Sequence, residues 1–303
     1  MPRITYVPRT FRAATQLVID RSNAIIAEYA AQGFTLTLRQ LFYQHVARGL
    51  LPNKQTKYKR LGEIVGDARL AGLIDWNHLE DRTRWLRTNG HWTEPAAILR
   101  SAADSYAIDK WAHQPHRPIV LVEKDALVGV IEPTCQAEDV SYFACRGYPS
   151  LSETWSLAHH ELLGSLNKGQ RPVILHLGDH DPSGLDMTRD LSERLALFCG
   201  QEIEVRRLAL NLDQVQQYNP PPNPAKTEDS RYPGYASQFG DESWELDALD
   251  PTVLAALVSD AIAELRDPEM WAEAIEEESS AKTRLASIAQ RLPEIEGVLD
   301  GAA

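Results

Sequence analysis

Long apolar runs are missing from this sequence. None approaches the ~20 residues that a membrane-spanning helix needs, so a transmembrane reading is not expected. The opening stretch, MPRITYVPRTFRAATQ, has no apolar core followed by a small-residue cleavage site, so no export signal is expected either. Cysteine is scarce: only Cys135, Cys145 and Cys199 occur in 303 residues, at none of the close spacings of a metal site. They read as buried or free thiols of a reducing compartment, and the expected location is cytoplasmic, nucleoid-associated. Nothing matches G-x-x-x-x-G-K-[ST]; Gly178 and Gly184 do not make a phosphate loop, so no ATPase is visible in the chain itself. No internal repeat occurs.

What is present is an uneven charge. The net formal charge is −12, yet residues 1–117 hold 17 Lys+Arg against 10 Asp+Glu, a balance of +7, and residues 118–303 hold 14 against 33, a balance of −19. A basic first third joined to an acidic remainder suggests a polyanion partner for the first part. Lys54, Lys57, Lys59 and Arg60 put four cations in seven residues, a density suited to phosphate contact without base reading. The plainer alternative is two solvated surfaces of opposite sign.

Periodicity divides the chain near the same point. Residues 11–32, 35–51 and 57–74 carry apolar positions at helical spacing, and polar 75–84 follows as a strand or loop. Three helices and a polar excursion have the order of a winged helix-turn-helix unit. Beyond residue 117 short apolar strands at 118–124, 139–145, 171–179 and 202–210 alternate with helical stretches at 125–137, 150–168 and 184–199. That alternation predicts an α/β fold with a mostly parallel sheet. The Pro-rich stretch 219–234 is expected to be irregular, 244–249 reads as one more strand, and 252–299 as an acidic helical tail. The expected domains are 1–115 and 116–303.

Carboxylates stand at strand ends. Glu123 follows the first strand; Asp179 and Asp181 follow the third. Functional groups in open α/β sheets gather beyond the carboxyl ends of the strands. Three acids meeting there would suit a hard cation, Mg²⁺ or Mn²⁺. The alternative is that Glu123 pairs with a cation and Asp181 caps the helix at Pro182. His176 and His180 flank the acids and read as packed or solvated rather than as ligands.

VEKDA (122–126) together with GDHDPSG (178–184) resembles the Toprim domain of topoisomerases and related nucleases. FACRGYPS (143–150) and WELDAL (244–249) extend the resemblance toward the topoisomerase VI A subunit and its meiotic double-strand-break relative, in a compact form. LRQLFYQ (38–44) resembles the catalytic-tyrosine motif of that family's winged-helix domain, with Gln40 where Asp is common. The resemblance spans about residues 35–250. It implies a winged-helix domain followed by a Toprim domain, and metal-dependent DNA strand cleavage by transesterification. Tyr43 would be the nucleophile and Arg39, one helical turn before it, the phosphate clamp. Glu123, Asp179 and Asp181 would hold Mg²⁺ or Mn²⁺. It also implies a homodimer in which one subunit's Tyr43 faces its partner's acids, and admits an ATPase or accessory subunit. Two other outcomes remain: a Toprim nuclease that hydrolyses DNA without Tyr43, and a non-catalytic DNA-binding protein.

Overall fold

The computed structural model describes residues 3–79 and 89–292. The polar excursion at 75–84 and the helical tail at 252–299 therefore lie partly outside the described residues. Helices α1 (Ala13–Ala30), α2 (Leu38–Ala47) and α3 (Gln55–Leu70) form the first unit. Their apolar faces, with Ile19, Ile26, Leu41, Phe42, Leu61 and Val65, close on one core. Thr37 starts α2 through a capping box, accepting from the Gln40 amide at 3.2 Å while its own amide donates to Gln40 Oε1 at 2.8 Å. That is a local use for glutamine at position 40. Helix α4 (Pro95–Ser105) leads to the second unit.

The second unit is a four-stranded parallel sheet with helices on both faces. Strands β1 (His116–Val122), β2 (Ser141–Ala144), β3 (Arg171–Leu177) and β4 (Glu204–Ala209) lie in the order β2-β1-β3-β4. In β1 and β3, side chains alternate between two cores: Val120, Val122, Leu175 and Leu177 face one, Ile119, Leu121 and Ile174 the other. Burial on both faces explains why these strands read as continuous apolar runs. Helix α5 (Val128–Ala137) links β1 to β2. A helical stretch, α6 (Leu151–Leu157) and α7 (Leu163–Asn167) joined by a π-helical turn, links β2 to β3; α8 (Pro182–Cys199) links β3 to β4.

After β4 come α9 (Leu212–Tyr218), β5 (Asn223–Pro224), α10 (Tyr232–Phe239) and β6 (Glu242–Ser243). The Pro-rich stretch thus has regular structure where none was expected. Pro224 sits in a two-residue antiparallel ladder, where a missing N–H costs least. The expected strand at 244–249 is instead a 3₁₀ turn at Leu246–Ala248, since its apolar residues fill gaps between units rather than a sheet face. The acidic tail is two helices, α11 (Pro251–Leu265) and α12 (Pro268–Gln290), divided where Pro268 opens a new first turn capped by Asp267. Phe34 packs against the cores of both units and Ala248 is buried in the helical one, so the 246–248 turn is where the two halves meet.

Candidate functional site

The expected acids do converge beyond the ends of β1 and β3, but each is already engaged. Glu123 Oε2 accepts the Asp179 amide at 2.8 Å. Asp179 Oδ1 accepts the Leu246 amide at 2.8 Å and faces Lys124 Nζ at 2.9 Å. Asp181 turns toward α8 as its N-cap, with Oδ1 accepting from the Gly184 amide at 2.6 Å and the Ser183 hydroxyl at 2.8 Å. Its other oxygen stands 4.0 Å from Lys226 Nζ. Among the described residues no group of three or more His, Cys, Asp or Glu side chains is placed to hold a metal ion. This overturns the expected Mg²⁺ or Mn²⁺ site at Glu123, Asp179 and Asp181, and with it metal-dependent cleavage through Tyr43. The physical reason is that a lysine and backbone amides engage Glu123 and Asp179 while Asp181 is turned onto the start of α8.

Lys124 is the centre of the arrangement. It also lies 3.0 Å from Glu245 and 3.7 Å from Asp247. Arg39, on α2, reaches the same two carboxylates, Glu245 at 2.5 Å and Asp247 at 3.2 Å. Arg207, on β4, donates to the carbonyls of Gly178, Asp179, Gly184 and Leu210 and to the Thr188 hydroxyl, which fixes the β3–α8 turn. Burial pushes Asp179 up to about 7 despite the opposing Lys124, and Glu123 is raised by the same cause. Burial would lower Lys124, but Asp179, Asp247 and Glu245 outweigh it and hold the ammonium above its ordinary value. Burial lowers Arg207 to about 10 against the opposing pull of Glu123, Asp179 and Asp181. The result is an ion-pair network in which Asp179 and Asp247 are buried, Lys124 and Glu245 half-buried and Arg39 exposed, with its cations supplied by the chain.

Tyr43 is 4% exposed, and burial together with the Glu245 carboxylate raises its phenol, against the opposing pull of Asn223 and Arg39. A raised phenol is a weaker nucleophile at neutral pH. Within one chain, then, Arg39 and Tyr43 lie beside Glu245, and Lys124 carries the network on to Asp179. His176 and His180 are packed: His176 meets the Thr188 hydroxyl at 2.9 Å and burial lowers it to about 3, and His180 meets the Tyr235 hydroxyl at 2.9 Å between Phe239 and Trp244.

Next to Tyr43 opens a cavity of about 310 Å³, walled by α2, the start of α3 and the β5 segment. Asn53 Nδ2 crosses its rim to the Pro222 carbonyl at 3.1 Å and Asn223 Oδ1 at 2.9 Å. Lys54, Lys57, Lys59 and Arg60 are all exposed on the first turns of α3. Only Arg60 has an ion-pair partner among the described residues, Glu63 at 2.7 Å. No side chain caps α3, and no acid stands in its first turn.

Two carboxylates in WELDAL, Glu245 and Asp247, complete the network but carried no role in the sequence. Their spacing of two beside an apolar pair was the available signal. Lys124, within VEKDA, pairs with Asp179, Glu245 and Asp247.

The chain matches no family model and no curated protein. The descriptors that the resemblance suggested, topoisomerase VI A-like, Toprim, magnesium-binding and homodimeric, therefore have no support as a set, and the metal is overturned outright. Among the described residues no helix is long and apolar enough to cross a membrane.

Proposed function

We propose that the chain is a non-catalytic DNA-binding protein that grips the phosphate backbone with Lys54, Lys57, Lys59 and Arg60. The observation that carries this reading is their exposure on the uncapped start of α3. Cations are disfavoured at the positive end of a helix dipole unless an anion joins them. The usual stabilising pattern, an acid in the first turn, is absent. A helix start with three lysines that have no ion-pair partner among the described residues is therefore arranged for an anion rather than for the stability of the helix.

The finer architecture belongs to the same proposal. A winged-helix unit over 1–115 and a Toprim-like unit over 116–303 are supported by the motif likeness at 38–44, 122–126 and 178–184 and by the parallel sheet. The pairing of the acids with Lys124 and Arg39 and the raised Tyr43 phenol favour binding over strand transfer.

The test is binding of a labelled duplex followed by anisotropy across a salt series. Affinity should fall with a log–log slope of roughly −2 to −4, one phosphate contact giving about −0.9. Lys54→Glu with Lys57→Glu should weaken all sequences about equally and flatten the slope. A salt-independent affinity, or an unaffected double variant, would remove the assignment.

A further inference from the structure

The Pro-rich segment supplies Asn223 and Pro224 to the wall of the cavity beside Tyr43. We propose that this cavity receives a single nucleobase, whose phosphate remains outside on the α3 lysines. The inference rests on the DNA-binding reading and assigns its second contact.

Size comes first. About 310 Å³ lies at the small end of ligand pockets, which run from roughly 300 to 1,000 Å³. Its lining suits a flat heterocycle. Phe42 and Tyr58 meet edge-on with ring centroids 5.5 Å apart, and Tyr43 tilts against Phe42 at 5.7 Å, so three neighbouring aromatic rings belong to its lining. Such rings stack bases of any identity. The lining also carries amides, each holding a donor and an acceptor as base edges do. Asn53 uses its NH₂ on Pro222 and Asn223, which leaves its carbonyl for a ligand. Gln55, exposed at the rim, makes no side-chain hydrogen bond among the described residues.

Charge decides between a base and a phosphate. The Glu245 carboxylate lines the cavity together with Arg39, whose charge it already pairs. Its Oε2 is held by Arg39 and Lys124, Oε1 lies 3.4 Å from the Asn223 amide, and the Tyr43 hydroxyl also bonds this carboxylate, whose remaining lone pairs face the cavity lining. A phosphate there would meet a carboxylate oxygen, which repels it. An exocyclic amine would be accepted by it. The phosphate has its own place outside, on Lys54 and Lys57, which adjoin Asn53 and Gln55 in the chain.

Deoxyadenosine monophosphate and 2-deoxyribose 5-phosphate serve as paired probes, titrated into the full chain by calorimetry. The nucleotide should bind at least about tenfold tighter, a difference of about 1.4 kcal/mol. Tyr58→Leu and, separately, the rim variant Gln55→Ala should each lower nucleotide affinity several-fold and leave the sugar phosphate unchanged. Gln55→Ala removes no buried contact, so the test stands even if Tyr58→Leu unfolds. A single-stranded oligonucleotide with and without one abasic residue separates the sources: tighter binding of the intact strand assigns the base to DNA, and binding of the free nucleotide alone assigns it to a mononucleotide. Equal affinity of nucleotide and sugar phosphate, with salt-dependent binding of both strands, would overturn the base pocket and leave the phosphate grip standing. Loss of all oligonucleotide binding would instead strike the proposed function, and the paired probes would still decide the pocket.

Discussion

Asp179 shows how one residue can be legible in position and illegible in role. It is 7% exposed, and its carboxyl is raised to about 7 chiefly by burial. An ordinary aspartate titrates near 3.9. The folded state therefore binds this proton more tightly than the unfolded state does. Its stabilising contribution is full below about pH 4 and is lost as the pH rises through about 7. Glu123 is raised in the same sense. Thermal stability should fall between pH 5 and pH 8 by an amount on the order of 2–4 kcal/mol. Asp179→Asn, which keeps an oxygen for the Leu246 amide, should flatten that fall; an unchanged profile would show that another group titrates. Gly184 offers a second test. Gly to Ala in a helix ordinarily stabilises by about 1 kcal/mol, but a Cβ here would stand 2.2 Å from the Asp179 carbonyl oxygen. Gly184→Ala should therefore destabilise by more than about 2 kcal/mol in a denaturant melt, the reverse of the propensity scale.

At the scale of elements, α2 is set by its first turn. Thr37 and Gln40 bond each other's backbone and fix the angle at which Arg39 and Tyr43 leave the helix. Thr37→Ala should cost about 1 kcal/mol. It should also loosen the Arg39 pairing with Glu245 and Asp247, visible as faster amide exchange in both α2 and the 246–248 turn. Exchange quickened in α2 alone would mean that the two elements are not coupled through Arg39. The helices and parallel strands were legible because their apolar periods are long and regular. The stretch 219–249 was not, because its short elements are held by contacts far along the chain: Asn53 to Asn223, and Tyr235 to His180. No local period records such contacts.

Across the whole molecule, Lys124 is the side chain on which the two halves depend. It joins the end of β1 to Asp179 and to the turn bearing Glu245 and Asp247, which Arg39 ties to the helical unit. Removing the cation strands buried carboxylates, Asp247 being only 3% exposed. Lys124→Met should cost about 3–5 kcal/mol, more at pH 8 than at pH 5, because protonated acids need no partner. A loss independent of pH would point to packing instead. Because the chain's own cations fill the network, a strong chelator should change neither the melting temperature nor DNA affinity. A shift of either on chelation, reversed by millimolar Mg²⁺, would reopen the metal question.

The order of residues determined the α/β class, the strand sequence, the basic first third and the place where Glu123, Asp179 and Asp181 gather, because each follows from local period, local charge or strand-end position. It could not determine what neutralises those acids. A strand-end carboxylate reads the same in sequence whether a metal, a lysine or a helix start will face it. Only the packing of the halves brought Lys124 and Arg39 onto the Glu245 and Asp247 turn, turned Asp181 onto α8, and placed Asn223 across from Asn53 to enclose a cavity. Those choices join positions as far apart as 39 and 245, and desolvation makes each depend on all the others.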